Sequence, residues 1–309
     1  CSQGSAGIRL HVEDETSNIE DRRGESRGGF SFPGGGGGGL QLGGRGLGCG
    51  GVLVVIVISL VFGINPMSLL GGGGAGGPGA PSQQSGQPQE PAAAPRTPSE
   101  SDRFVAKVLG TTERSWDKIF AEQVGQRYRP PTLVLFSGSI DSGCGAAQSA
   151  SGPFYCPADR KVYLDESFFD ELSQRFGASG DFAAAYVIAH EVGHHVQNVL
   201  GISEQAQAAQ SRTSRTNANA ISVRVELQAD CLAGVWARDN RGILDAGDVE
   251  EALTAANAIG DDTLQKAAQG VVVPESFTHG SSAQRIRWFK QGLADGTING
   301  CDTFKANRL

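Results

Sequence analysis

The sequence predicts an α+β, helix-dominated domain with a small β-sheet, plus one N-terminal transmembrane helix. Three observations carry this. After residue 101 a few strand-like runs precede many helical ones, the order of an α+β architecture. The glycine excess lies before residue 81, so the core has to come from the rest of the chain. The run Val52–Ile64 is strongly apolar, and no charged residue occurs between Arg45 and Glu90. With its flanking Gly, Cys and Leu, that run approaches the roughly 20 residues a helix needs to cross a bilayer.

Taken in order, residues 1–46 are polar, of mixed charge and then Gly-rich, a composition expected to be disordered. Cys1 stands first, and a lipid-modified N-terminal cysteine is the alternative that it raises. Residues 47–70 form the expected single-pass anchor in the lipid bilayer. Arg45 lies just before it, with Arg22, Arg23 and Arg27 further back, whereas the first basic residue after it is Arg96. This bias places the N-terminus in the cytoplasm and the C-terminal domain outside, in the periplasm or beyond. Residues 71–100 are a Gly/Pro-rich linker.

Residues 101–309 have the length and composition of one domain. "RFVAKVLGTTERSWDKIFAEQ" has helical spacing and "PTLVLFSGSI" reads as a strand. "GPFYCPADRKVYLD" forms a hairpin-like pair with a polar turn at Ala158–Lys161, and "ESFFDELSQRF" a short helix. A long apolar helix follows, then a polar stretch at Ser203–Asn219, a second long helix at about Ala220–Asp239, and at least two more. Cys144, Cys156, Cys231 and Cys301 permit two disulfides in an outside domain, with Cys144–Cys156 the local pair and Cys231–Cys301 the remaining one. Four free thiols are the alternative. The net charge of −7, with no basic stripe, argues against a nucleic-acid partner.

The long helix "AAAYVIAHEVGHHVQNVLG" carries His190, Glu191, His194 and His195 among apolar neighbours. Unpaired charge in such a setting is costly, so the polar set needs a partner. His190 and His194 leave the same helix face one turn apart and can bind one Zn2+, while Glu191 reaches a zinc-bound water as general base. Zinc lowers that water's pKa to about 7, and the carboxylate takes its proton as the water attacks an amide carbon. A third protein ligand is needed. The variant with a third His six residues on is excluded, because Leu200 and Gln197 occupy its positions. His195 points about 100° away and takes a supporting polar role or lies on the surface. On the next helix, "VRVELQADCLAGVWA", Glu226 and Asp230 share a face. Glu226 completes a His-His-Glu site, and Asp230 accepts the N–H of a ligating His.

The pair "HEVGH" and "ELQAD" resembles the Glu-zincin arrangement of the CAAX prenyl proteases and their bacterial relatives. "THGSSAQRI" resembles their Thr-His-Pro-Ser-x-x-x-Arg-Ile segment, with Gly280 where Pro is usual. That likeness implies that His279 and Arg285 line the site and stabilise the oxyanion or hold substrate. From about Ser17 onward the chain is similar to the single-anchor bacterial family named "putative neutral zinc metallopeptidases". The likeness rests on "NIEDRRG", "GGRGLG", "SGCGAAQSASGPFYCPADRKVYLD" and "ELQADCLAGVWA". It implies a zincin-like zinc metalloendopeptidase acting on a peptide or protein substrate. Substrate backbone is then expected along an edge strand, "PTLVLFSG" or "RKVYLD", by β-augmentation. Tyr155 and Tyr163 are candidate oxyanion donors or ordinary core aromatics. The alternative function is a catalytically silent zincin-fold binding or scaffold protein at the membrane. No ligand or base is broken in the sequence, which favours the enzyme.

Overall fold

Helix α1 (Glu100–Ile119) starts at a reciprocal capping box between Ser99 and Asp102 and buries Val105, Val108, Leu109, Trp116 and Ile119 at helical spacing. A computed structural model describes residues 8–25, 97–149, 152–178 and 180–309. A four-stranded sheet follows, built from β1 (Ile19–Asp21), β2 (Thr132–Phe136), β5 (Phe154–Cys156) and β6 (Lys161–Asp165). Their order across the sheet is β1-β2-β6-β5, with β1, β2 and β6 parallel and β5 antiparallel to β6. The strands β3 (Ser139–Ser142) and β4 (Gly145–Gln148) pair as a separate two-stranded ribbon. Side chains alternate across the sheet as the pleat requires. Leu133, Leu135, Val162 and Leu164 join the main core. Val134, Phe136 and Tyr163 join a smaller one with Ile140 and Cys156.

The helices after the sheet are α2 (Ser167–Phe176), α3 (Asp181–Val199), α4 (Ile202–Gln210), α5 (Arg215–Asp239), α6 (Asp248–Ala258), α7 (Asp261–Gln269) and α8 (Ser282–Asp295). Helix α3 packs on α1, α5 and α6, and α5 packs along α8. Trp236 of α5 joins three of these helices: its ring stacks on Phe182 at 5.7 Å, and its indole N–H donates to Thr111 at 3.1 Å. Both expected disulfides are present. Cys144–Cys156 ties the β3–β4 ribbon to β5, and Cys231–Cys301 ties α5 to the C-terminal segment.

Two expectations change here and a third falls outside the described residues. Disorder through residues 1–46 does not hold for residues 8–25: β1 adds a parallel strand to β2, and Ile8 is buried in the main core. The polar stretch Ser203–Asn219 contains α4 and the start of α5. Its Ala, Gln and Glu are strong helix formers, so propensity and packing on α5 make up for weak amphipathicity. The anchor at residues 47–70 lies outside the described residues, as do residues 71–96 of the linker. Among the described residues no helix is long and apolar enough to cross a membrane.

Candidate metal centre

Helix α3 is apolar on nearly every face and buried along most of its length, as expected of a helix enclosed by its neighbours. Leu200 closes it and Gly201 follows with φ 74°, a left-handed turn that ends the helix. Within "HEVGH", Gly193 faces α5: a Cβ there would lie 3.0 Å from the Ala229 carbonyl oxygen. Its missing side chain lets the two helices close up, and that brings Glu226 and Asp230 beside the histidines.

The distances test the zinc reading. Two donors on one tetrahedral zinc, each about 2.0–2.1 Å from the ion, stand roughly 3.3 Å apart. Glu226 Oε2 lies 3.2 Å from His190 Nε2 and 3.6 Å from His194 Nε2. His190, His194 and Glu226 each bring one donor atom within 4.8 Å of the others, and among the described residues no other trio of His, Cys, Asp and Glu does so. The donor set, two imidazoles and one carboxylate, is that of a zinc site with room for a fourth ligand.

Each ring's other nitrogen is held. His190 Nδ1 faces Asp230 Oδ1 at 2.9 Å, and a carboxylate accepts only, so Nδ1 carries the proton and Nε2 is free to ligate. His194 Nδ1 lies 2.9 Å from Gln197 Oε1. The amide orientation follows from its neighbours: Gln197 Nε2 donates to the Val225 carbonyl and to Gln228 Oε1, which leaves Oε1 toward the ring. Gln197 was not among the expected site residues, although its position three residues past His194 places it on that histidine's face.

Electrostatics agree with a cation site. Burial opposes charge on Glu226, but His194 and His190 outweigh it and hold the carboxyl well below its usual range. Burial likewise opposes protonation of His194, while Glu226 lifts it to about 9. Burial pushes the Glu191 carboxyl up, against the pull of His194 and His190, the direction that suits a base handing its proton on. The Tyr155 backbone N–H faces that carboxylate.

Asp230 is fully buried and accepts from His190, from Tyr186 Oη at 2.5 Å and from Arg285 through Nε and Nη2, each at 2.9 Å. Arg285, expected at the substrate, therefore stands behind the ligands, 2 % exposed and committed to Asp230. Its task is to fix Asp230. Burial opposes protonation of His279, while Asp261 and the nearby charge of Glu226 favour it and raise its pKa. Asp261 accepts the backbone N–H groups of Thr278, His279 and Gly280, and its Oδ1 lies 3.2 Å from His279 Nδ1. Gly280 has φ 91°, which a proline ring cannot reach, so the departure from the Thr-His-Pro-Ser pattern marks a different turn. Asp261 went unrecognised in the sequence because it lies at the start of α7, 18 residues before His279 in the loop that precedes α8.

The remaining candidates resolve as follows. His195 is 1 % exposed; its Nε2–H donates to the Arg129 carbonyl and its Nδ1 meets the Tyr155 hydroxyl at 3.0 Å. It therefore straps β5 to α3. The Tyr155 hydroxyl also accepts from Asn198, and that of Tyr163 donates to Asp159 at 2.6 Å. Both hydroxyls are committed away from an oxyanion. The expected substrate strands are interior: β2 lies between β1 and β6, and β6 between β2 and β5. The edge beside the zinc helix is β5, which touches α3 through Tyr155.

Comparison with known proteins agrees with this site. The chain is 45 % identical over 307 residues to the "Uncharacterized protein YpfJ" of Escherichia coli (strain K12), covering 96 % of this chain and 99 % of that one. It is 44 % identical over 227 residues to the "Uncharacterized protein Mb2605" of Mycobacterium bovis, covering 69 % of this chain and 75 % of the relative. No solved structure gives a significant match. The family model described as "Putative neutral zinc metallopeptidase" matches residues 8–304, both zinc helices included, and this chain belongs to that family.

Proposed function

We propose that this chain is a zinc-dependent endopeptidase. The observation that carries the reading is the convergence of His190, His194 and Glu226, with Glu226 3.2 and 3.6 Å from the two Nε2 atoms and all three donors within 4.8 Å of one another. These three residues would hold the ion. When bound, zinc supplies Lewis acidity toward a carbonyl oxygen and a water at neutral pH. Glu191 takes a proton from the attacking water and delivers it to the leaving amide nitrogen. Asp230 and Gln197 keep both ligand rings in the ligating tautomer. His279, its Nδ1 beside Asp261, would donate from Nε2 to the developing oxyanion. Substrate backbone lies along β5, whose outer edge has no strand partner among the described residues.

The test is metal content and cleavage of an unfolded protein substrate by the full chain. About one zinc per chain is expected in the parent. Glu226→Ala loses it, and Glu191→Gln keeps it while cleavage disappears. Undiminished cleavage by Glu191→Gln removes Glu191 as the base. A folded, zinc-supplied parent without zinc removes the enzyme reading.

A further inference from the structure

We infer that residues 8–25 are a built-in part of the peptidase domain and share its compartment, the extracytoplasmic one. The sequence reading placed them across a bilayer from that domain. The observations are structural and independent of the zinc site.

The segment is bound as core and ladder. Ile19, Glu20 and Asp21 pair with Leu133, Val134 and Leu135. The ladder extends at both ends: the Leu133 N–H donates to the Asn18 carbonyl at 2.9 Å and the Arg22 N–H to the Leu135 carbonyl at 2.8 Å. Helix α1 is shaped for the segment. A Cβ on Gly110 would lie 1.8 Å from the Asp14 carbonyl oxygen, so only glycine lets the chain pass there. Glu113 of α1 accepts from Thr16 at 3.0 Å and from Asn18 at 2.8 Å.

Charge points the same way. Arg22 and Arg23 supply part of the basic bias that would hold the tail in the cytoplasm. Arg22 pairs with Glu25 at 2.7 Å. Arg23 is nearly buried and lies 2.7 Å from Asp102 and 2.5 Å from Glu166, both contributed by the domain. These arginines are spent on protein carboxylates. Arg23 and Asp102 also join the N-terminal segment to the start of helix α1. A single membrane crossing between Glu25 and Thr97 would pull this ladder and these ion pairs apart. Any bilayer attachment made between those residues has both its ends on one face. The two disulfides choose the face, because such bonds persist in oxidising compartments.

The experiment uses the full chain in spheroplasts with Cys1→Ser and Cys49→Ser, which leaves only the disulfide cysteines. Ser17→Cys probes the segment and Glu204→Cys the domain, both at exposed positions. The reagent is a membrane-impermeant maleimide. Equal labelling of both before lysis is expected. Labelling of Ser17→Cys only after lysis, with Glu204→Cys labelled before it, overturns the shared compartment. Labelling of both only after lysis overturns the extracytoplasmic placement. A Thr16→Cys, Glu113→Cys pair tests the contact itself: a short bis-maleimide is expected to cross-link them within one chain, and failure to do so in the folded protein overturns the docking.

Discussion

Asp230→Asn separates two roles that one carboxylate plays. The side chain keeps its shape but loses its charge. In the parent, Asp230 takes two bonds from Arg285, one from Tyr186 and one from His190, at 0 % exposure, and its pKa sits at about 2 because Arg285 and His190 outweigh the cost of burial. Neutralising it leaves the Arg285 cation buried without a counter-charge, a loss of about 3–5 kcal/mol in stability. It also weakens the hold on His190 Nδ1, which lowers zinc affinity by about 10–100-fold. Adding Arg285→Met removes the stranded cation. The double variant is expected to regain most of the stability and none of the zinc affinity. Denaturant unfolding of the metal-free chain reads the first quantity, and competition with a chromophoric chelator reads the second. A double variant no more stable than Asp230→Asn refutes the stranded-cation argument. Zinc affinity within about twofold of the parent refutes the tautomer argument.

Other consequences are equally direct. His279→Ala is expected to lower kcat by about 10²–10³-fold with zinc content unchanged, checked by elemental analysis beside steady-state kinetics. Asp261→Ala should follow it with a smaller loss. Replacing Cys231 and Cys301 by Ser opens a loop of 70 residues and should cost about 4 kcal/mol in denaturant unfolding. Burial raises the Tyr155 pKa to about 12. The unfolded chain ionises near pH 10 and the folded chain later, so this group's stabilisation is present below pH 10 and is lost as pH climbs toward 12. It amounts to about 2 kcal/mol after allowance for partial exposure. Tyr155→Phe should remove that decline, seen as a stability difference from the parent that shrinks over this range.

The zinc helix and its partner were legible because four-residue spacing, apolar surroundings and two-sided burial leave charged groups few alternatives. Both ligand helices could therefore be placed without knowing how the chain turns between them. The sheet was harder. Strand β1 is three residues of Ile, Glu and Asp within a charged segment, and its stability comes from β2, α1 and paired carboxylates distant in sequence. Without β1, β2 looks like an edge, and nothing in the sequence shows that both β2 and β6 are interior strands. Arg285 shows the same limit from another side. Its presence near the site was readable, but whether it faces substrate or Asp230 depends on how α8 lies along α5, and a motif does not encode that crossing.

The sheet's two ends are unlike, and this has a practical side. The N-terminal segment covers β2, so that among the described residues the sheet's outer edges are the short, charged β1 and β5, the latter beside helix α3. A chain begun at Ser101, the natural choice from composition, would bare the backbone of Leu133–Leu135 as an edge in place of β1. Unsealed strands invite self-association. Such a shortened protein would trade the three-residue, acidic edge of the intact chain for a longer and stickier apolar one.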